Sequence, residues 1–397
     1  PEPGARTSPF PDETAQTSSK LKQLEEDKIY SRWMPVVARD PAYNANLSLR
    51  SRHFELRNDE VNGLTVKAEN LPTFLAHNAD IYGCGHYRIT QPLQAMVAEG
   101  VAQGKSGMTL LTLSEMGQFR PDSLIIQRRY SPAFHNWMER IGKLHNVFKV
   151  FELDDYIINL PMKHYGRQAY KQETAKLIRK SLSYFDRFVV STAPLADAMS
   201  SMHPDIVVIK NRLPVDAWGA LQSLRNQGQK PRVGWAGGVS HRGDLEMIFD
   251  IVREFSNQVE WVFMGMCPDK LRPYVHEIHT GVDLSLYPAA LESLNLDLAL
   301  APVEENSFNA CKSNLRLLEY GACGVPVICS NVACYRQDDL PVTRVNNRFI
   351  EWRDAIRMHL ADPAASAEMG LKLQASIRRN WMLTGENLRE WAKAWQP

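Results

Sequence analysis

From Leu71 onward, short apolar runs alternate with stretches that are apolar on one face only, the pattern of strands and covering helices in a parallel sheet. Candidate strands of the first series are TFLAH, MTLLTL, SLIIQ, VFKVFEL, RFVVS and IVVIK. Helical stretches fall between them near Ile89 to Glu99, Pro132 to Leu144, Lys163 to Leu182 and Pro194 to Met202. The rhythm breaks at NRLPVDAWGALQSLRNQGQKP, whose Pro, Gly and polar residues read as a connector. A second series follows at once. RVGWAG, VEWVFMG, LDLALAPV and VPVICS read as strands, with helices near Asp244 to Phe255, Ala289 to Leu294 and Asn314 to Ala322. The chain from Phe349 to Trp395 reads as helical and carries Trp352, Trp381, Trp391 and Trp395. The pattern predicts an α/β protein with two Rossmann-like domains, residues 71–210 and 231–380, joined by a connector over 211–230 and facing a cleft. Residues 381–397 are expected to form a C-terminal helix. Ligands are expected at the carboxyl ends of the strands.

Ahead of this lies a segment, residues 1–70, of different character. It opens PEPGARTSPFPDETAQTSSK, rich in Pro, Ser and Thr, and reads as a linker of a larger polypeptide. A charged helical stretch around Leu21 to Trp33 precedes the turn-rich RDPAYNANLSLRSRHFELR.

Composition narrows the function classes. With 46 basic against 45 acidic side chains there is no nucleic-acid footprint. No apolar run approaches the roughly 20 residues of a membrane span, and the first residues lack a signal-peptide core, so a cytoplasmic protein is expected. The six cysteines form no CxxC or Cys/His spacing, which leaves neither a zinc site nor a disulfide framework; no metal is expected.

Two turns of the second series carry candidate chemistry. In RVGWAGGVSHRGDLEMIF an apolar strand ends in Gly237 and Gly238, whose backbone N-H groups a phosphate could approach near a helix N-terminus, with Arg242 adding charge. The motifs GxGxxG and GxxxxGKS are absent. In KSNLRLLEYGACGVPVICS, Lys312 is expected at the start of a helix, and Glu319, seven residues on, about two turns later on nearly the same face. A phosphate at Lys312 and a vicinal diol at Glu319 suit a nucleoside diphosphate.

KSNLRLLEYGACGVPVICSNVACY closely resembles the donor-binding segment of GT-B glycosyltransferases of the family 4 type, in which a basic residue meets the diphosphate and the glutamate binds the ribose. RVGWAGGVSHRGDL resembles the first strand and glycine turn of the same domain, and VIKNRLPVDAW the hinge between the halves. The resemblance covers about Leu71 to Trp395. It implies a GT-B fold, with the C-terminal helices packing back towards the first domain, and a nucleotide-diphosphate sugar as donor, bound by Gly237, Gly238, Ser240, Arg242, Lys312, Ser313 and Glu319, with no cofactor and no metal. RWMPVVARDPAYNANLSL resembles the segment between fused catalytic domains of bacterial surface-polysaccharide glycosyltransferases of O-antigen or capsule type. That implies a glycan or lipid-linked glycan acceptor and other catalytic domains as partners. One position departs from the family: many retaining members carry an earlier glutamate where this chain has Cys311. A sugar-nucleotide epimerase of the same fold and a catalytically silent GT-B module remain as alternatives.

The first series is expected to hold the acceptor. IYGCGHYRITQPLQAM places Gly83 and Gly85 in a loop that enters a helix, with His86 and Arg88 in its first turn. FELDDYIINLP ends a strand with Glu152, Asp154 and Asp155, any of which could orient or deprotonate an acceptor hydroxyl. Asp155 is the expected base, and Asp154 and His86 are the other catalytic candidates. Lys163, Arg167 and Lys171 recur at four-residue spacing and form a basic helix face for peripheral contact with anionic lipid at the inner membrane.

Overall fold

The structure, a computed structural model, describes residues 13–44, 46–50, 54–56, 68–161, 173–226 and 228–397. The first series forms β1 (Thr73–His77), β2 (Gln103–Ser106), β3 (Ser123–Gln127), β4 (Phe148–Leu153), β5 (Arg187–Val190) and β6 (Ile206–Val208). They pair in the order β2-β1-β3-β4-β5-β6, all parallel. The second forms β7 (Arg232–Gly237), β8 (Glu260–Gly265), β9 (Glu277–Thr280), β10 (Leu298–Ala301), β11 (Val327–Ser330) and β12 (Thr343–Val345). Its order is β12-β11-β10-β7-β8-β9, again all parallel. Among the described residues the molecule is therefore two six-stranded parallel sheets with helices; the pattern predicts two such α/β halves, but only four strands in the second. SLIIQ and LALA are buried along their whole length, which is why they read as continuous rather than alternating apolar runs. Strand order reverses between β1 and β3 and between β7 and β10. Those reversals open crevices at the carboxyl ends of the strands.

Several elements differ from the pattern. MTLLTL is not a strand; β2 is the polar run just before it, an edge strand held by β1 alone. Leu111 and Leu113 still enter the core, from a loop that closes on a helix (Leu113–Phe119) through a capping box between Thr112 and Glu115. The strands EIHT and TRV carry no apolar run because both lie at sheet edges, where every residue but Val345 is half-buried or exposed. The helix expected over Asp244 to Phe255 is two pieces, Arg242–Glu246 and Phe249–Phe255. Of the helix expected over Lys163 to Leu182, Thr174–Leu182 is described; Lys163, Arg167 and Lys171 lie outside the described residues. The charged N-terminal stretch is a helix from Glu13 to Ala38 that buries Met34 and Ala38.

The chain beyond β12 ties the halves together. Helix Pro363–Asn380 packs on helix Leu315–Ala322 so closely that a Cβ on Gly321 would stand 2.7 Å from Leu373. Gly324, at φ +73°, then turns the chain into β11, a conformation that favours glycine. Leu213 and Met382 form a parallel bridge where the chain crosses back. The last helix, Gly385–Ala394, lies on the first sheet, with Trp395 edge-on to Phe74 at 5.6 Å and Trp391 under the Arg88 guanidinium at 4.5 Å.

Arg88 is the hub of this junction. It is fully buried, pairs with Glu152 at 2.5 Å, and donates to the carbonyl of Ile209 and to Asn211 Oδ1. Burial drives the Glu152 carboxyl upward and Arg88 opposes the shift. Removing one partner of such a pair strands the other charge. Arg88→Ala is expected to lower unfolding free energy by about 3–5 kcal/mol, read from a denaturant midpoint. An unchanged midpoint would contradict this role.

Candidate functional site

A cavity of about 910 Å³ lies between the two sheets, walled by the carboxyl ends of β1, β3, β4 and β7 and by the segment before β11. Its size is that of a drug-sized or nucleotide-sized ligand.

One wall comes from the second sheet. β7 ends at Gly237, where an added Cβ would stand 2.5 Å from the Arg316 guanidinium, so the glycine makes room for that side chain. A Cβ on Gly238 would meet nothing within 4 Å, so its backbone faces open space. Ser240 also lines the cavity, whereas Arg242 is exposed and does not. The cation beside the glycine turn is Arg316, with its guanidinium over the Trp235 ring at 4.9 Å and a buried Nη1 that makes no hydrogen bond. Sequence analysis missed it; its four-residue spacing from Lys312 was the available signal.

Lys312 does not begin the helix as expected. The helix runs Leu315–Ala322 with Asn314 as its N-cap, so Lys312 sits in the preceding turn, its ammonium 5.1 Å from the Phe308 ring. Burial pushes that amine down, the carboxylates of Asp155 and Asp244 pull it up, and Arg316 opposes them. Ser313 Oγ accepts from Asn211 Nδ2 at 2.9 Å, which links this wall through Asn211 to Arg88 and Glu152.

Glu319 is buried at the far end of the same wall. Tyr87, from the first sheet's side, donates to its Oε1 at 2.7 Å, and Tyr287 donates to Oε2 at 3.2 Å. Burial pushes the Glu319 carboxyl up to about 7 against the pull of the tyrosyl hydroxyls and Arg316.

The opposite wall is acidic. Asp80 follows β1, Arg128 follows β3, and Asp154 and Asp155 follow β4. Arg128 adopts φ +52°, strained for a residue with a side chain, and reaches Asp80 at 4.0 Å, Asp154 at 3.9 Å and Asp155 at 3.8 Å. Burial raises the Asp155 carboxyl, Asp154 adds to the shift, and Arg128 and Lys312 oppose it. Cys84, Asp154 and Asp155 place ligand atoms within 4.8 Å of one another, the one such group among the described residues, and Arg128 faces two of those three.

Of the residues expected from sequence, Gly83, Arg88, Asp154, Asp155, Gly237, Gly238, Ser240, Lys312, Ser313 and Glu319 line this cavity. Gly85, His86, Glu152 and Arg242 do not. Gly85 presses on the Asp80 carbonyl, where a Cβ would stand 1.9 Å away, and the turn that follows presents Tyr87 and Arg88 to the cavity. His86 packs on the Tyr87 ring at 5.7 Å, and burial lowers its imidazole. Glu152 is committed to Arg88 beneath the floor. Cys311 is also outside the cavity; its thiol faces the Pro194 carbonyl, and its own carbonyl accepts from Thr192 at 2.7 Å.

No protein-family model matches the sequence, and no curated protein matches it. Solved structures do resemble the fold. Sucrose-phosphate synthase from Thermosynechococcus elongatus superposes with a TM-score of 0.59 at 13% identity, over 81% of this chain and 98% of that one. The alpha-glucosyltransferase AGT in complex with UDP gives 0.58 at 10% identity over 82% and 99%. Anabaena HepE in complex with UDP gives 0.56 at 12% identity over 81% and 98%. Two parallel sheets facing one cleft, crossed by a returning C-terminal helix and matched over nearly the whole length of these glycosyltransferases, give the chain the GT-B fold.

Proposed function

We propose that this protein transfers a sugar from a nucleotide-diphosphate donor to a hydroxyl acceptor. The observation that carries this is the polarity of the cavity: Lys312 and Arg316 on the wall of the second sheet face Asp80, Asp154 and Asp155 on the wall of the first. A diphosphate binds beside Lys312, Arg316 and the open backbone at Gly238, with the ribose at Glu319. The acceptor hydroxyl lies against Asp155, which takes its proton as the oxygen attacks the anomeric carbon. The bond to the diphosphate breaks, and its electron pair settles on the phosphate oxygen near Lys312 and Arg316. The two cations meet the developing charge without a metal or a cofactor. UDP in complex with AGT and HepE supports a uridine nucleotide as the first donor to try. The acceptor is read as a glycan or lipid-linked glycan of a bacterial surface polysaccharide, on the resemblance of the segment before β1. No helix among the described residues is long and apolar enough to cross a membrane. Contact with a lipid-linked acceptor is read as peripheral, on the four-residue spacing of Lys163, Arg167 and Lys171 in the sequence.

A screen of UDP-, GDP-, ADP- and dTDP-sugars by thermal shift tests this reading, because a ligand of the native state raises the unfolding temperature by mass action. A shift with at least one donor, followed by release of its nucleoside diphosphate, is expected. An epimerase would release a changed sugar, and a panel without any shift would contradict the proposal.

Glu319 adds a pH dependence with a defined sign. The carboxyl ionises at about 7 in the folded chain and at 4.5 when unperturbed. Between these values the folded chain holds more protons, so this group makes stability fall as pH rises through the window. Ribose hydroxyls donate better to the ionised carboxylate. Nucleotide affinity is therefore expected to strengthen from pH 6 to pH 8, about the pH at which this carboxyl ionises, and to lose that dependence in Glu319→Gln. Calorimetry giving the same slope in both proteins would remove Glu319 from the ribose site.

A further inference from the structure

The glycine turn carries a second pair of side chains that the donor-binding scheme leaves unused. His241 borders the cavity, and its Nδ1 lies 2.7 Å from Asp244 Oδ2. Asp244 is 3% exposed, and its other oxygen accepts from the Glu304 backbone N-H at 2.7 Å and from Asn309 Nδ2 at 3.4 Å. The carboxylate is thus fixed by groups from a different part of the chain, and it fixes the ring in turn. With Nδ1 donating to Asp244, the hydrogen on that nitrogen is set, and the ring donates through Nε2 only as an imidazolium. Trp235 meets the imidazole edge-on at 6.1 Å and limits its rotation. The ring lies three residues past Gly238, where the backbone faces open space, on the same wall as Lys312 and Arg316.

We propose that His241 is a catalytic residue that delivers a proton through Nε2 to the departing phosphate oxygen, with Asp244 as its positioning residue. This rests on the glycosyl-transfer reading. As the bond from the anomeric carbon to the phosphate oxygen breaks, its electron pair goes to that oxygen and the imidazolium proton follows. The acceptor oxygen forms the new bond to the anomeric carbon and gives its proton to Asp155. His241 ends neutral and Asp155 protonated, and exchange with water on product release restores both.

Charges of both signs surround the ring. Asp244 pairs with it, and the Glu304 carboxylate lies against Gly243, two residues past the ring, 2.9 Å from where a Cβ would stand. Lys312 and Arg316 bring positive charge from the neighbouring segment, where both act on Asp244, and Asp155 acts on Lys312 from the first sheet. Arg242 and Glu246, on the helix that follows the ring, are opposite in sign.

The test is the pH profile of nucleoside diphosphate release from UDP-, GDP-, ADP- and dTDP-sugars, with water as acceptor, for wild type, His241→Gln and Asp244→Asn. Wild-type turnover is expected to fall on the alkaline side as the imidazolium loses its proton. His241→Gln is expected to be roughly 100-fold slower or worse and to lack that limb. Asp244→Asn keeps the ring, and its alkaline limb is expected to move to lower pH, an effect that lost packing alone would not produce. A His241→Gln protein with wild-type turnover and the wild-type limb overturns the assignment of His241 and keeps the transferase reading. An unmoved limb in Asp244→Asn likewise overturns the dyad. A wild type that releases no diphosphate from any of these donors overturns both readings together.

Discussion

Asp155→Asn is expected to lower the rate of sugar transfer by about two to four orders of magnitude, because an amide cannot take the acceptor proton. Its effect on nucleotide binding has the opposite sign. Asp155 is among the carboxylates whose charge acts on Lys312, so its removal leaves a less compensated cation facing the diphosphate. Nucleoside diphosphate affinity should therefore be unchanged or tighter while turnover collapses. That split separates a base from a structural residue, since a misfolded wall would lose both. Asp154→Asn is expected to do less, because Asp154 is the more buried of the two and is surrounded by Arg128, Asp155 and the Cys84 thiol. Stopped-time assays of transfer with calorimetry on the same preparations make the comparison. Equal transfer rates in wild type and Asp155→Asn would remove Asp155 from the mechanism.

Lys312→Ala should damage both steps. The ammonium is half-buried, so its interaction with a phosphate is less screened than that of a surface lysine. Loss of one charge-assisted hydrogen bond costs about 1.5–3 kcal/mol of binding. Loss of a charge aimed at the leaving group costs about 10²–10³ in turnover beyond that. Arg316→Ala is expected to resemble it, with an added loss of packing on Trp235. Arg242→Ala, at an exposed position outside the cavity, serves as the control and should leave both quantities unchanged. A phenotype in Arg242→Ala with none in Arg316→Ala would reverse this reading of the donor wall.

The contrast between Arg242 and Arg316 shows what was legible in the sequence. The glycine pair after an apolar strand marked the turn correctly, but nothing local says which nearby arginine points inward. That is decided by Trp235, whose ring supports Arg316 across the end of β7. Lys312 and Glu319 reach one cavity although they do not share a helix, since the helix begins at Leu315. The first wall was harder to read. Asp80, Arg128 and Asp155 follow three different strands and meet only because β1, β3 and β4 are adjacent in one sheet. Arg88 and Glu152, expected as separate acceptor-side groups, form one buried pair, with Arg88 at the cavity floor and Glu152 beneath it. The central strands were visible because both faces are buried. Of the four edge strands only the apolar β6 was; β2, β9 and β12 were not, because polar sequences suffice where only one neighbour is paired.

The central claim is that the wall of Lys312, Arg316 and Glu319 binds a nucleoside diphosphate. Calorimetric titration of UDP, GDP, ADP and dTDP into wild type and Lys312→Ala tests it most directly. One of the four is expected to bind the wild type, and its affinity is expected to fall roughly 10- to 100-fold in the variant. Wild-type protein that binds none of them, or a variant that binds as tightly, would contradict the account.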